Sequence, residues 1–564
     1  MKRVVFILLL AVSFLCSASI ENNSSGEKKK EYILQIEGLN FLDEEDLAKY
    51  VGAKNEGIFW KNKFVITEDI LDSLESTIKS YLQTKGFFKS KIKIIKEGNI
   101  VRVIIDEGEP IRVKDIKIES DFDVNDLIEF KKGDIFSADK FLEIKDNIAN
   151  RLLESGYCKY DLDTKAYVDI EKLTAKLVYK IKKNKVCYFG KVTIEKYPKD
   201  IKKRVILSRL KFRRGDRFSI KKIKDSYLAL NKLETFANIK IAYDLENSGY
   251  IVDTNVSLEK RKKLKRYLLS IGVDSEIGFR IKGEWEKRNF LGNAQKFKVR
   301  AQLSKDYKSF ETLFFSPALL SIEKRYLDFY LDSGYSKKET DALEEKKFFI
   351  NSYLYWEEDN WQIKGGLALE RLNIDLYESM PSIIGGNFYL LYPYIDIIYD
   401  GRDDKLDPKN GFYFRGYMEY GMSSDEGGVG YIKYLLEARA IKSFGELTLA
   451  AVGKVGSIHE VTGNLPASKL FLGGGVFSNR AYGKDKIGVV TSSTSFLPIG
   501  GKSMLNLQLE ADYKIYKKIY GAIFFDSTMI SAEEYTFKGD RIDTLGFGIR
   551  YKTPIGPIKV DVGF

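Results

Sequence analysis

The sequence has little of what catalytic sites are commonly built from. Its 564 residues include one histidine, His459, three cysteines and ten prolines. The sequence shows no Cys/His cluster for zinc and no G-x-S-x-G turn to expose a serine nucleophile. We therefore expect no enzyme activity, no metal site and no cofactor.

Long apolar runs are also missing after the start of the chain. Met1–Ser19 is predicted to be a signal peptide, because Lys2 and Arg3 precede the apolar segment Val4–Leu15 and small residues follow it. That segment is too short to span a bilayer, and no later stretch offers 18 uninterrupted apolar residues. An exported chain without such a helix can still cross a membrane as a closed barrel of strands.

Aromatic residues, glycine and charge are abundant together. The chain has 35 Tyr, 36 Phe and 45 Gly, and 30% of its residues are charged. This combination is typical of membrane barrels, in which lipid-facing and water-facing residues alternate and aromatics gather at both interfaces. The net charge of +12 could indicate nucleic-acid binding. However, 80 acidic residues are interspersed with 92 basic ones, so we expect a mixed basic surface and no nucleic-acid partner.

Residues 31–263 contain one structural unit three times. Each unit is predicted to run from a short strand through a short helical stretch and a longer helix to two further strands. The longer helices are predicted at Thr67–Lys85, Ser137–Ser155 and Ser219–Leu233, each with a suitable N-cap. Gly86 and Gly156 follow the first two helices, where a left-handed glycine commonly ends a helix.

A tripeptide in the third unit has a counterpart in the second. Arg214–Ser219 reads RGDRFS and Lys132–Ser137 reads KGDIFS, each directly before a predicted helix. The RGD tripeptide could be an integrin ligand. Its recurrence at the same place in two units favours a structural turn.

From Leu264 onward, the hydrophobic period changes to two. Leu505, Leu507 and Leu509 alternate with polar residues, as in a strand with lipid on one face and water on the other. Soluble sandwiches also alternate, but segments such as Glu339–Glu357 are longer than soluble strands usually are. We count about fifteen strands between residues 264 and 564.

The segment Leu470–Gly488 contains a glycine run followed by an arginine and an aromatic residue. It resembles the long sixth extracellular loop of the BamA/TamA family of outer-membrane assembly factors, whose GG…(V/S)RG(F/Y) motif folds back into its own barrel. The resemblance places Gly474 and Gly475 in the glycine run, Arg480 on the motif arginine and Tyr482 on the aromatic.

Other segments match this family in order. Arg288–Gly292 resembles its RNFLG turn, Asp400–Gly411 its D-x-R-D…P-x-x-G turn, and Thr553–Ile558 its (S/T)P-x-GP(I/L) turn. Ala481 departs from the usual glycine of the loop motif. The repeated units are similar to POTRA domains, and three of them before a barrel is closest to TamA.

The resemblance implies an α+β array of POTRA domains of β-α-α-β-β order, followed by an antiparallel transmembrane β-barrel. The POTRA-like units are expected at 31–108, 109–184 and 185–263 in the periplasm, and the barrel at 264–564 in the bacterial outer membrane. The family has sixteen strands, so we expect the sixteenth beyond Phe564, or else within Ile487–Phe496.

The resemblance also implies candidate site residues. Asp526 and Glu510 lie on the polar, inward-facing side of their predicted strands, and the family has acidic residues at both positions. We expect them to be the partners of Arg480 in the lumen, because a guanidinium inside a barrel needs compensating acceptors. Thr528 stands where the family's F-x-D-x-G strand has glycine. The family's lateral seam between first and last strands corresponds here to Leu268, Ser270, Gly272, Pro557, Lys559, Asp561 and Phe564.

The implied function is assembly or translocation of outer-membrane proteins of the β-barrel or autotransporter type. The implied partners are a TamB-like periplasmic protein, unfolded outer-membrane protein substrates and outer-membrane lipid. A secretion pore for one dedicated exoprotein and a passive barrel with a periplasmic tether remain alternatives. Cys158 and Cys187 could form a disulfide or remain two buried thiols.

Overall fold

The structure is a computed structural model. It describes residues 30–57, 62–246, 248–274, 278–323, 325–378, 385–423, 428–490, 497–537, 540–553 and 556–564. The predicted signal peptide 1–19 lies outside these ranges. In the ranges that are described, no helix is both long and apolar enough to cross a membrane.

The first unit has more strands than predicted. Its elements are β1 (Glu31–Glu37), α1 (Glu44–Tyr50), β2 (Lys54–Asn55), β3 (Phe64–Thr67), α2 (Glu68–Leu71), α3 (Leu74–Thr84), β4 (Lys91–Glu97) and β5 (Ile100–Asp106). The sheet order is β2-β3-β1-β5-β4. The single helix predicted over 67–85 is wrong, because the chain turns at Ser73 between α2 and α3. Asp and Ser side chains favour such turns over helix interiors.

The second and third units each form a three-stranded sheet. The second contains β6 (Arg112–Ser120), α4 (Ala138–Glu154), β7 (Tyr160–Asp169) and β8 (Thr174–Lys183). The third contains β9 (Tyr188–Lys196), α5 (Lys203–Leu207), α6 (Ile220–Lys232), β10 (Phe236–Tyr243) and β11 (Ile251–Lys260). In all three units the first strand pairs in parallel with the last. The short helix expected in the second unit is a turn at 125–127.

The same joint connects successive units. The carbonyl of Gly86 accepts a hydrogen bond from Ile111 N at 2.9 Å, and that of Gly156 accepts one from Cys187 N at 2.8 Å. Both glycines have a positive φ, as the helix ends require. The first unit is therefore held to the second, and the second to the third, through the glycine that ends the long helix.

The RGD tripeptide forms a turn that recurs in the second unit. Gly215 N donates to Phe189 O at 2.8 Å, and the Asp216 carboxylate accepts from Arg213 N at 3.0 Å. In the second unit Gly133 N donates to Val113 O at 2.8 Å in the same way. The tripeptide is thus placed as a turn packed on the first strand of its own unit.

A disulfide adds a covalent link between the second and third units. Cys158 and Cys187 are bonded, with their Cα atoms 5.8 Å apart. Both residues are buried beside Phe189 and Phe218. Of the two states that the sequence left open, the structure has the disulfide.

Fifteen strands form one antiparallel sheet, ordered as in the sequence. They are β12 (Lys265–Asp274), β13 (Gly278–Arg288), β14 (Lys296–Ser304), β15 (Tyr307–Ile322), β16 (Arg325–Glu339), β17 (Leu343–Glu358), β18 (Trp361–Leu376), β19 (Gly386–Asp400), β20 (Asn410–Ser423), β21 (Gly430–Phe444), β22 (Leu447–Thr462), β23 (Ser503–Tyr516), β24 (Ile519–Ser531), β25 (Arg541–Thr553) and β26 (Gly556–Gly563). The count of fifteen agrees with the prediction. A sixteenth strand beyond Phe564 stays a prediction, and residues 491–496 of the alternative segment are outside the described ranges.

The alternation of the strands separates two faces. Leu505, Leu507 and Leu509 are each about two-fifths exposed on the outside of the sheet. Asp526, on the inner face of the neighbouring strand, is fully buried. The sequence pattern therefore places apolar residues toward lipid and charged residues in the lumen.

The third unit is docked on one rim of the barrel. Arg209 pairs with Asp328 at 2.6 Å, and Glu234 pairs with Lys296 at 2.8 Å. An apolar cluster of that unit, including Leu230, is completed by Phe315 and Ala294 of the barrel. This contact marks the end of the strands that faces the repeated units, which the resemblance places in the periplasm.

We predict that residues 20–263 fold without the barrel, because each unit carries its own buried cluster and sheet. The fragment keeps the disulfide but exposes the apolar face that Phe315 covers, so we expect a soluble fold somewhat less stable than in the whole chain. Circular dichroism should show mixed helix and strand content. An unfolded fragment would contradict the prediction.

Candidate functional site

The candidate site is the segment between β22 and β23, which folds back onto itself. Gly473 and Ile487 exchange two backbone hydrogen bonds of 2.7 and 3.1 Å, and Gly475 N donates to Tyr482 O at 2.8 Å. Gly474 has φ +97°, and a Cβ there would collide with the carbonyl oxygen of Gly483. The glycine run is therefore needed to bring the two limbs of the loop together.

The tip of this loop inserts Arg480 among carboxylates of the barrel wall. Its Nε and Nη2 donate to the two oxygens of Asp526, both at 2.8 Å, and its backbone N donates to the same carboxylate at 3.0 Å. Nη1 pairs with Glu510 and lies 3.4 Å from Asp561. The guanidinium stacks 3.6 Å from the ring centroid of Phe524. Such bidentate, stacked contacts are specific to arginine.

A second buried arginine shares these acids. Arg550 on β25, with a side chain 1% exposed, pairs with Asp561 and lies 3.1 Å from Glu510 and 3.7 Å from Asp512. Lys559 on β26 pairs with Glu510 at 3.1 Å. We call the seven side chains the clasp: Arg480, Arg550, Lys559, Asp526, Glu510, Asp512 and Asp561. Three cations thus face four carboxylates inside the barrel, and each cation contacts at least one carboxylate.

Neutral side chains complete the docking of the loop. The buried Asn479 donates to Ile542 O at 3.2 Å and accepts from the Thr544 hydroxyl at 2.8 Å. Asn506 donates to Ser478 O at 2.9 Å and to the Thr528 hydroxyl at 2.9 Å. The Ser478 and Thr528 hydroxyls lie 3.1 Å apart, so the departure from glycine at position 528 supplies a hydroxyl that bonds the loop.

A separate contact fixes the limb of the loop that precedes the glycine run. Lys469 Nζ pairs with Glu370 on β18 at 2.7 Å and lies 4.3 Å from the ring centroid of Tyr392 on β19. Lys433 on β21 donates to the backbone carbonyl of Lys469 at 2.7 Å. Both members of the Lys469–Glu370 pair are about nine-tenths buried. We call this pair the base latch.

The structure places the predicted residues in different roles. Arg480, Asp526 and Glu510 are brought together, and Gly474 and Gly475 form the turn that carries the loop tip. Tyr482 contributes its backbone carbonyl, while its side chain is 41% exposed.

The predicted seam residues lie on the two edge strands of the sheet. Leu268, Ser270 and Gly272 of β12 pair with β13, whereas Pro557, Lys559 and Asp561 of β26 pair with β25, and Phe564 N donates to Leu545 O at 2.8 Å. In the described ranges no ladder joins β12 to β26. Lys559 and Asp561 point instead into the clasp.

Sequence reasoning missed Arg550 and Asp512 of the clasp, and Lys469 and Glu370 of the base latch. Arg550 and Asp512 lie on the inward-facing side of their strands, so the alternation of polar and apolar residues was a signal that could have identified them. Lys469 lies in a loop where no periodicity applies, and its partner lies 99 positions away. None of the described residues form a group of three that could hold a metal ion.

Comparison with known proteins agrees with this architecture. An Omp85 superfamily domain matches residues 289–564, and a POTRA domain, described as a surface antigen variable number repeat, matches residues 110–184. The chain belongs to the Omp85 superfamily. It is of the BamA/TamA type, so the barrel lies in the outer membrane and the POTRA domains in the periplasm. Members of this superfamily are assembly and transport factors rather than enzymes.

The relatives are distant. A protein of Treponema pallidum (strain Nichols), provisionally named an outer membrane protein assembly factor, is 22% identical over 395 residues. The match covers 65% of this chain and 45% of that protein, so this chain spans about half the length of the curated relative it matches. The crystal structure of BamA from Haemophilus ducreyi lacking POTRA domains 1–3 superimposes with a TM-score of 0.53 at 15% identity, covering 80% of this chain and 96% of that one. This likeness establishes the fold of the Omp85 protein.

Proposed function

We propose that this Omp85 protein helps insert or export outer-membrane proteins of the β-barrel or autotransporter type. The observation that carries the proposal is the clasp, which ties the folded-back loop to β23, β24, β25 and β26. Since β26 is an edge of the described sheet, the loop holds the wall beside a strand edge in place.

An edge strand offers unpaired backbone groups to an incoming strand. A substrate hairpin that adds to β12 or β26 gains main-chain hydrogen bonds that water cannot supply inside a bilayer. The clasp holds the β26 side of this edge in register through Asp561 and Lys559. The POTRA sheets, with their own edges at β4, β7 and β10, are suited to deliver extended substrates from the periplasm.

Reconstitution tests the proposal directly. Liposomes containing the full-length protein should fold an added, urea-denatured outer-membrane barrel several times faster than empty liposomes do, as measured by heat-modifiable gel mobility. The matched control is the same protein with Asp526→Asn, which keeps the volume of the side chain but weakens the clasp. Equal folding with the intact protein and with empty liposomes would contradict an assembly function.

A secretion pore for one dedicated substrate is the second candidate. The start of the loop, before the glycine run, makes a secretion pore less favourable. Its apolar side chains pack into a buried cluster with the barrel wall and fill space that a conduit would use; they are Leu465, Ala467, Leu470 and Phe471. High ion conductance in planar bilayers would support the pore instead. A TamB-like periplasmic protein remains the proposed partner, and a large TamB-like reading frame beside this gene would support it.

A further inference from the structure

The positive charge of the chain is concentrated in its third POTRA unit. Residues 185–263 contain 21 Lys and Arg against 9 Asp and Glu, a net charge of +12. This equals the net charge of the whole chain, so all remaining residues together are neutral. Positive and negative charges are therefore not evenly mixed over the surface, although the overall composition predicted that they would be.

This charge is densest where the third unit meets the barrel. Lys260–Arg266 reads KRKKLKR, and Lys199–Arg204 reads KDIKKR. An ion pair of 2.5 Å between Lys260 and Asp200 holds the two segments together. Asn293, in the turn between β13 and β14, donates its backbone N–H to Asp200 O at 2.8 Å. Both segments thus lie at the periplasmic rim of the first strands.

We call the exposed cations of these two segments the rim patch. They are Lys199, Lys202, Lys203, Arg204, Lys262, Lys263 and Lys265. Seven like charges on one rim create a strong positive potential, which draws an anionic surface.

Aromatic residues mark the depth of the bilayer at this rim. Trp285, Trp356 and Trp361 each lie within three residues of the periplasmic end of β13, β17 or β18. Tyr267 is the direct cross-strand partner of Trp285 and is 74% exposed on the lipid face. Tryptophan and tyrosine gather at the level where hydrocarbon gives way to headgroups.

The next lipid-facing pair toward the periplasm is a pair of lysines. Lys265 and Lys287 are direct cross-strand partners, two positions beyond Tyr267 and Trp285. Like charges directly opposite each other destabilise a strand pair, unless an anion lies between them. Two positions along a strand span about 7 Å, which places both ammonium groups at the depth of the lipid phosphates.

We propose that the rim patch, together with Lys287, binds the anionic phosphate headgroups of the periplasmic leaflet. The proposal does not depend on the assembly function. The ligand is a lipid because the Tyr267–Trp285 pair and the Lys265–Lys287 pair follow each other on the lipid-facing surface, which is continuous with the rim patch. Bound headgroups would fix the third POTRA unit and the edge strand β12 against the membrane.

The test uses the full-length protein in micelles of a neutral detergent, titrated with fluorescent phosphatidylglycerol. The variant is Lys262→Gln/Lys263→Gln/Lys265→Gln. Each cation near an anionic surface contributes about a fivefold change in affinity, so the triple variant should bind about a hundredfold more weakly. Raising the salt concentration should weaken the intact protein's binding as well.

The matched control removes three charges from the first unit, through Lys89→Gln/Lys91→Gln/Lys93→Gln on exposed positions. It should bind as the intact protein does. Equal losses in both variants would overturn the proposal, and so would competition by phosphatidylcholine, inorganic phosphate or a short DNA duplex as effective as that by unlabelled phosphatidylglycerol. If the triple variant fails the heat-modifiability check for folding, Lys263→Gln alone should still weaken binding about fivefold.

Discussion

Replacing Arg480 with alanine is expected to release the loop from the barrel wall and abolish most of the protein's function. Arg480 is 7% exposed, and Asp526, which accepts three of its hydrogen bonds, is fully buried. Removing one member of such a pair leaves a buried charge uncompensated, at a cost of about 3–5 kcal/mol. The loss should appear as a lower temperature for heat-modifiable unfolding, and as new trypsin cleavage within the loop.

The matched control for this prediction is Lys484→Ala, since Lys484 is exposed on the same loop and should contribute well under about 1 kcal/mol. Lys486 on the same loop is a poorer control, because it pairs with Asp341. The double variant Arg480→Met/Asp526→Asn should recover part of the lost stability, because no buried charge is left unpaired. Equal effects of Arg480→Ala and Lys484→Ala would rule out the clasp.

Periodicity explains why so much of the fold could be predicted from the sequence. The alternation in residues such as Leu505–Leu509 fixes both the strand and the face that meets lipid, and fifteen such segments can be counted without knowing their partners. Internal repetition made the POTRA units predictable, since Gly86 and Gly156 mark equivalent helix ends in two of them. The helix prediction was wrong at Asp72–Ser73, where two turn-forming side chains interrupt the helical pattern and the chain forms two helices instead of one.

The candidate site could be predicted only in part, for a related reason. Arg480 and its acids were found through a motif and through strand parity, and the structure then places them within hydrogen-bonding distance. Lys469 and Glu370 have neither a motif nor a shared period. Their contact depends on how the whole loop crosses the lumen, which local sequence does not encode.

The base latch leads to the second large expected effect. The loop is fastened at two places on different parts of the wall, at β18 through Glu370 and at β23–β26 through the clasp. It therefore braces the barrel across its lumen. We expect Lys469→Met to lower the stability of loop docking by about 3 kcal/mol, because Glu370 is nearly buried and its other cation, Lys347, is 3.9 Å away.

A double variant that also changes Glu370 distinguishes loss of the base latch from general damage to the barrel. Lys469→Met/Glu370→Gln removes both charges and keeps similar volumes, so it should be clearly more stable than Lys469→Met alone, whereas an unrelated packing defect would not be rescued. Protease cleavage before the glycine run should rise in Lys469→Met, while cleavage near Arg480 should rise less, since the clasp remains intact. If Lys469→Met and Lys484→Met had the same unfolding temperature and cleavage pattern, the loop would be held by the clasp alone.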